Sequence, residues 1–212
     1  MPKLQLALDA IGLEDALTLL GRIRDHVDII EIGTPFLMEY GLEAIRRVKA
    51  ALPRHEVLCD GKIMDAGDYE ARQMFAAGAD YVTVLAVTDE QTVAACVKAA
   101  REHGGKVMAD MICANGLAGT ARRMEALGAD VVAVHTGVDQ QAVGRTPLQD
   151  LAELKQCVRQ AQVAVAGGIR ADTVEAYLRL APDIVIVGGG ILSQPDRVSA
   201  AETLYRAIHG NA

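Results

Sequence analysis

Tryptophan is absent from this 212-residue chain, and aromatic residues make up only 3% of it. A surface that stacks nucleic-acid bases on aromatic rings is therefore not expected. Excess positive charge is missing too: the net charge is -7, which argues against a general nucleic-acid or anionic-membrane binder. No apolar run approaches the roughly 18 residues of a membrane-spanning helix. The start, Met1-Pro2-Lys3-Leu4-Gln5, lacks the basic region and apolar stretch of a signal peptide. The four cysteines (Cys59, Cys96, Cys113 and Cys157) form no CxxC pair, which suits reduced thiols in the cytoplasm better than a disulfide frame or a zinc site. Hydrophobic residues, in contrast, make up 51% of the chain. That is ample for a core and rules out intrinsic disorder.

The apolar residues fall into eight short runs rich in Val and Ile, at 4–8, 27–32, 56–60, 80–85, 106–111, 130–135, 162–166 and 183–187. Near-continuous runs of this kind read as strands of a parallel sheet covered on both faces. Helical patterns follow them at 14–24, 39–51, 67–77, 90–102, 118–127, 148–159, 172–180 and 196–208. Eight strand–helix units predict an α/β protein with a (β/α)8 TIM-barrel fold, a single domain over residues 1–212. The rival is an open doubly wound sheet, but the first turn, Asp9-Ala10-Ile11-Gly12, has no GxGxxG. An internal repeat supports the barrel. Asp28, Asp80, Asp130 and Asp183 open alternate strands 50–53 residues apart, and Asp9, Asp60 and Asp110 end three of the intervening ones. Alternate barrel strands share interior layers, so the latter three carboxylates should ring one end at similar height.

Catalytic groups of this fold sit at the C-terminal strand ends. The sharpest cluster there is Asp60-Gly61-Lys62-Ile63-Met64-Asp65. Side chains two apart on a strand point the same way, so Asp60 and Lys62 should face a common site. An ammonium between carboxylates stabilises a developing oxyanion or moves a proton. Glu31 interrupts an apolar strand, where a carboxylate needs a partner. Either it joins Asp60, from the adjacent strand, in binding Mg²⁺, or it pairs with Lys62 and binds no metal. His135 ends its strand as either a general base or a satisfied structural residue. Strand-end Asp residues also commonly cap the next helix. Glycines at 167–168 and 188–190 follow the last two strands, where this fold commonly binds phosphate.

The Asp60-x-Lys62-x-x-Asp65 motif resembles the signature of the orotidine 5′-monophosphate decarboxylase suprafamily. Within it, LQLALD at 4–9, DIIEIGTP at 28–35, DGKIMDAG at 60–67, VHTG at 134–137 with Asp139, AVAGGI at 164–169 and IVIVGGGI at 184–191 resemble the 3-hexulose-6-phosphate synthases. The resemblance implies an aldehyde-lyase that condenses D-ribulose 5-phosphate with formaldehyde. It implies Mg²⁺, or Mn²⁺ in its place, on Glu31 and Asp60, with His135 as the base and Lys62 holding the resulting 1,2-enediolate. It further implies a homodimer in which Asp65 reaches the partner's site, Asp9 and Asp110 as substrate contacts, and Gly167, Gly168, Gly189 and Gly190 as the phosphate seat. Two alternatives are a 3-keto-L-gulonate 6-phosphate decarboxylase and a non-catalytic phosphosugar-binding barrel. Relative to the decarboxylase pattern, the chain has Asp110 in place of Glu and Val138 in place of Arg, which favours the synthase. Gly190 stands where such decarboxylases carry an Arg, leaving Arg170 as a nearby cation for the phosphate.

Overall fold

The computed structural model describes residues 1–210. Eight parallel strands close into a barrel in sequence order, as expected. They are β1 (Lys3–Leu8), β2 (Ile29–Ile32), β3 (Glu56–Ile63), β4 (Tyr81–Leu85), β5 (Lys106–Asp110), β6 (Val131–His135), β7 (Gln162–Ala166) and β8 (Ile184–Val187). The surrounding helices are α1 (Leu13–Ile23), α2 (Thr34–Tyr40), α3 (Leu42–Ala51), α4 (Gly67–Ala76), α5 (Glu90–His103), α6 (Leu117–Ala126), α7 (Val138–Ala142), α8 (Leu148–Cys157), α9 (Val174–Leu178), α10 (Gly189–Leu192) and α11 (Arg197–His209).

Several elements depart from the sequence reading; the helix expected at 172–180, for example, is only Val174–Leu178. The helix expected at 39–51 starts earlier and is broken at Gly41, whose φ of +59° divides it into α2 and α3. The strand expected at 56–60 runs three residues further, through the DxK motif. Helices α7 and α10 were not expected, because four or five residues are too few to show a helical period.

The repeat has a mechanical meaning. Asp28, Asp80, Asp130 and Asp183 each accept the backbone N–H of the second residue of the preceding strand. Those donors are Leu4, Val57, Val107 and Val163, at 2.7, 2.7, 2.8 and 2.8 Å. Each Asp returns its own N–H to the carbonyl of that same residue. Four equivalent clasps thus fix the register of alternate strand pairs at the N-terminal end. Beside them, Glu56 gathers Lys3, Lys106 and the Tyr81 hydroxyl across that mouth.

Leu58, Tyr81, Met108 and Ile186 belong to the packed interior of the barrel, while a larger shell of Leu, Ile and Val seals strands against helices. Toward the C-terminal end, the inward residues shrink to Ala7, Ala133 and Ala166, which leaves room for a cavity. Cys59, Cys96 and Cys157 are buried thiols and Cys113 is exposed; all four are free. Among the described residues, no helix is long and apolar enough to cross a membrane.

Asp130 makes its clasp far from the cavity. Asp130→Ala should lower unfolding free energy by about 1–2 kcal/mol in a denaturant titration. Turnover measured below the transition should be unchanged; a loss of turnover in the folded variant would show that the two ends of the barrel are coupled.

Candidate active site

The cavity at the C-terminal strand ends has a volume of about 620 Å³, within the range of small-ligand sites. Its lining includes Asp9, Glu31, Asp60, Lys62, Asp110, His135, Gly167, Gly168, Gly189 and Gly190. Ten of the eleven residues singled out in the sequence therefore meet at one place. Asp65 does not: it is exposed beyond the rim and turns back to accept the Ala66 N–H at 2.7 Å.

Lys62 is the hub. Its Nζ lies 2.6 Å from Asp60 Oδ2 and 3.2 Å from Asp110 Oδ2. The two side chains of the DxK motif do share a face, but a regular strand does not put them there. Between Cys59 and Ile63 four residues of β3 advance while β4 advances only two, from Val82 to Val84. Inside this bulge Lys62 takes φ +45°, a left-handed conformation that costs an L-residue about 1–2 kcal/mol. Gly61 gives Met74 room: a Cβ there would fall 2.3 Å from the end of that flexible side chain, which would have to shift. Burial alone would depress the Lys62 ammonium, but Asp60 and Asp110 outweigh it and raise its pKa. Lys62 is therefore a fixed positive charge at neutral pH.

Asp110 serves two partners at once. Its Oδ2 also lies 2.9 Å from His135 Nδ1, and its Oδ1 accepts the Ile112 N–H at 2.9 Å. Burial would raise the Asp110 carboxyl, yet the bond from His135, the charges of His135 and Lys62, and the Ile112 N–H bring it below its ordinary value. An ionised carboxylate accepts only, so the Nδ1 facing it carries the proton and Nε2 is the basic nitrogen.

On the opposite wall, Glu31 is buried and its Oε2 accepts from Gln5 Nε2 at 2.6 Å. Burial first, then the charge of Asp60, raises the Glu31 carboxyl well above its usual range. The Oε1 of Gln5 is buried without a partner. Asp60 is held from both sides: Thr83 donates to Oδ1 at 2.8 Å, and Thr34 Oγ1 lies 2.9 Å from Oδ2. Among the described residues no group of three or more His, Cys, Asp or Glu is arranged to hold a metal by itself. Two hard carboxylates, one of them buried and short of positive charge, do suit a divalent cation that keeps water and substrate oxygens as its other ligands. Asp9 lies at the mouth, its carboxylate fitted against Gly33, where a Cβ would fall 2.0 Å from Oδ1.

The glycine loops fill the remaining wall. Gly167 and Gly168 have φ of +127° and +67°, and a Cβ on Gly190 would fall 2.2 Å from the Ile169 carbonyl oxygen. Gly189 and Gly190 begin α10, where leading N–H groups have no partner within the helix. Arg170 lines the same wall and is paired with Asp172 at 3.0 and 3.1 Å. Sequence reasoning missed Gln5, Thr34 and Thr83, although each is a polar residue in or next to an apolar strand.

A (β/α)8 barrel with an ammonium, an imidazole and carboxylates facing glycine loops belongs to the class of enzymes that act on small phosphorylated substrates. The sequence profile of the orotidine 5′-phosphate decarboxylase / HUMPS family matches residues 2–204, and the chain belongs to that family. A 3-hexulose-6-phosphate synthase of Staphylococcus aureus is 42% identical over 208 residues, covering 98% of this chain and 99% of its own. The crystal structure of a 3-hexulose-6-phosphate synthase from Salmonella typhimurium superposes with a TM-score of 0.95 at 48% identity, over 98% of both chains. A 3-keto-L-gulonate-6-phosphate decarboxylase from Vibrio cholerae gives a TM-score of 0.83 at 28% identity, over 98% of this chain and 97% of its own.

Nitrogen-15 spectra of imidazole-labelled protein should show neutral His135 with its proton on Nδ1 and Nε2 bare. Asp110→Asn should abolish that preference; the opposite tautomer in the unaltered protein would remove the His135–Asp110 pair from the account.

Proposed function

We propose that this chain is a lyase that condenses D-ribulose 5-phosphate with formaldehyde to D-arabino-hex-3-ulose 6-phosphate. The observation that carries the reading is the single oxygen, Asp110 Oδ2, that holds both Lys62 and His135. It places a fixed cation and a basic nitrogen beside each other, which removal of a proton next to a ketone requires. His135 Nε2 takes a C1 proton; the C–H electron pair forms the C1–C2 double bond, and the carbonyl pair moves onto O2. Lys62 faces that oxygen. C1 of the enediolate then attacks the formaldehyde carbon, and His135 returns its proton to the formaldehyde oxygen. The ketone thereby ends at C3 of the product. Asp9 contacts substrate hydroxyls at the mouth. Asp110 orients the base and the ammonium, a role that its hydrogen bonds support better than direct substrate contact.

Glu31 and Asp60 would hold Mg²⁺, with Mn²⁺ as a substitute, and the bound ion would supply positive charge close to the substrate's oxygens. The phosphate would rest on Gly167, Gly168, Gly189 and Gly190, with Arg170 as the cation beside it. Val138 supports a synthase over a decarboxylase. It lines the cavity three residues beyond His135 and has no proton to deliver to the intermediate. The chain would act as a homodimer with shared sites. Asp65, unused in its own cavity, lies exposed beside the exposed apolar residues Met64 and Tyr69, as a residue that reaches into a partner would.

A formaldehyde-consumption assay with ribulose 5-phosphate tests the reading directly. Lys62→Ala and Asp65→Ala should each be folded and nearly inactive. Mixed after unfolding and refolding together, they should regain activity, because one site per heterodimer keeps both residues. Failure to regain it would remove the shared site, and near-full activity of Lys62→Ala would remove Lys62 from the mechanism. Exhaustive chelation should abolish turnover, with recovery on adding Mg²⁺; undiminished turnover after chelation would remove the metal.

A further inference from the structure

Thr83 occupies a position that no catalytic argument has used. It is on β4, only 3% exposed, and lines the cavity between the two halves of the DxK motif. Its Oγ1 accepts the backbone N–H of Lys62 at 2.9 Å and donates to Asp60 Oδ1 at 2.8 Å. An N–H donates only, and a carboxylate beside an ammonium accepts only, so the hydroxyl proton has one direction open to it. One side chain therefore ties the backbone of Lys62 to the carboxylate of Asp60.

That tie lies where the sheet is least able to help. The ladder between β3 and β4 resumes only at Ile63↔Val84, beyond the bulge. Lys62 is held in a left-handed backbone conformation there, a state that persists only when its surroundings over-determine it. The Thr83 hydroxyl replaces the missing ladder bond with a side-chain bond.

We propose that Thr83 is a positioning residue: its hydroxyl locks the β3 bulge so that Lys62 and Asp60 stay aligned with Asp110 and His135. The proposal rests on the reaction assigned above for its kinetic consequence, but not for its structural one. Packing alone would make Thr83 replaceable by the isosteric Val. Positioning requires the oxygen, and requires that its loss be felt in the chemical step more than in binding.

The test compares Thr83→Val with Thr83→Ser in formaldehyde consumption, each variant checked for folding by thermal melting. Thr83→Val should lose kcat by roughly 10- to 100-fold with KM for ribulose 5-phosphate little changed, since a small misplacement of reacting groups has about that effect. Thr83→Ser should retain most of the turnover. Near-wild-type kcat in Thr83→Val, or equal losses in both variants, would overturn the proposal. Should Thr83→Val fail to fold, Thr83→Ala gives the same comparison against Thr83→Ser. Hydrogen exchange at the Lys62 amide gives a readout independent of the reaction: Thr83→Val should exchange faster there than the wild type. An unchanged Lys62 amide would also overturn the proposal. If the wild type consumed no formaldehyde, the assigned reaction would fall, while the amide measurement would still decide Thr83.

Discussion

The ammonium of Lys62, set between Asp60 and Asp110, is the interaction on which the C-terminal end of the barrel depends. It ties β3 to β5, and through Asp110 it reaches β6 and His135. Asp60 and Asp110 are both buried, and a buried charge left unpaired costs several kcal/mol. Burial works against the Lys62 charge, and the two carboxylates more than offset it. The arrangement is a weak source of stability, since well-packed apolar residues would serve that purpose as well or better. In the proposed chemistry its use would be electrostatic: a partly buried cation fixed before substrate arrives needs little reorganisation when charge develops.

The fold was legible in the sequence because its signals are local and repeated. Val-rich runs alternating with amphipathic stretches gave the eight units, and the Asp residues at 28, 80, 130 and 183 marked the period. The site was legible to the extent that polar residues at the ends of apolar strands stand out: Asp9, Glu31, Asp60, Lys62, Asp110 and His135 all do so. What stayed hidden depends on neighbours across the sheet. Inside the bulge in β3 the Lys62 N–H is held by Thr83 on β4, and no spacing within DGKIMD announces it. The His135–Asp110 pair is likewise invisible from either strand alone. Asp65 is the exception, since its motif places it with the site while its exposed side chain turns back to the Ala66 N–H.

The two ends of the barrel divide the work. At the N-terminal end, four Asp clasps and the Glu56 cluster satisfy backbone and side-chain groups in a regular pattern. At the C-terminal end, regularity is given up: β3 bulges, Lys62 is left-handed, and Gly167 and Gly168 take positive φ. Strain of this kind is tolerable only on a frame fixed elsewhere. The repeated geometry of the clasps and the irregular geometry of the rim are thus two parts of one design, in which register set below determines which side chains meet above.

The charge balance across the cavity supports the proposed divalent cation. Four carboxylates line it, Asp9, Glu31, Asp60 and Asp110, against the two fixed cations Lys62 and Arg170. Lys62 is drawn to the β3 and β5 side, where His135 first and Lys62 after it bring the Asp110 carboxyl below its ordinary pKa. The β1 and β2 side receives less compensation. There burial and the charge of Asp60 raise both Asp9 and Glu31. The two walls therefore push like groups in opposite directions, the pattern by which an enzyme separates acid and base roles within one site. A phosphorylated sugar would bring further negative charge into the same space. A divalent ion on Glu31 and Asp60 would relieve the starved wall, keep Glu31 ionised at neutral pH and leave Lys62 free to face the developing oxyanion. A bound cation would thus answer an imbalance already built into the protein by its own side chains.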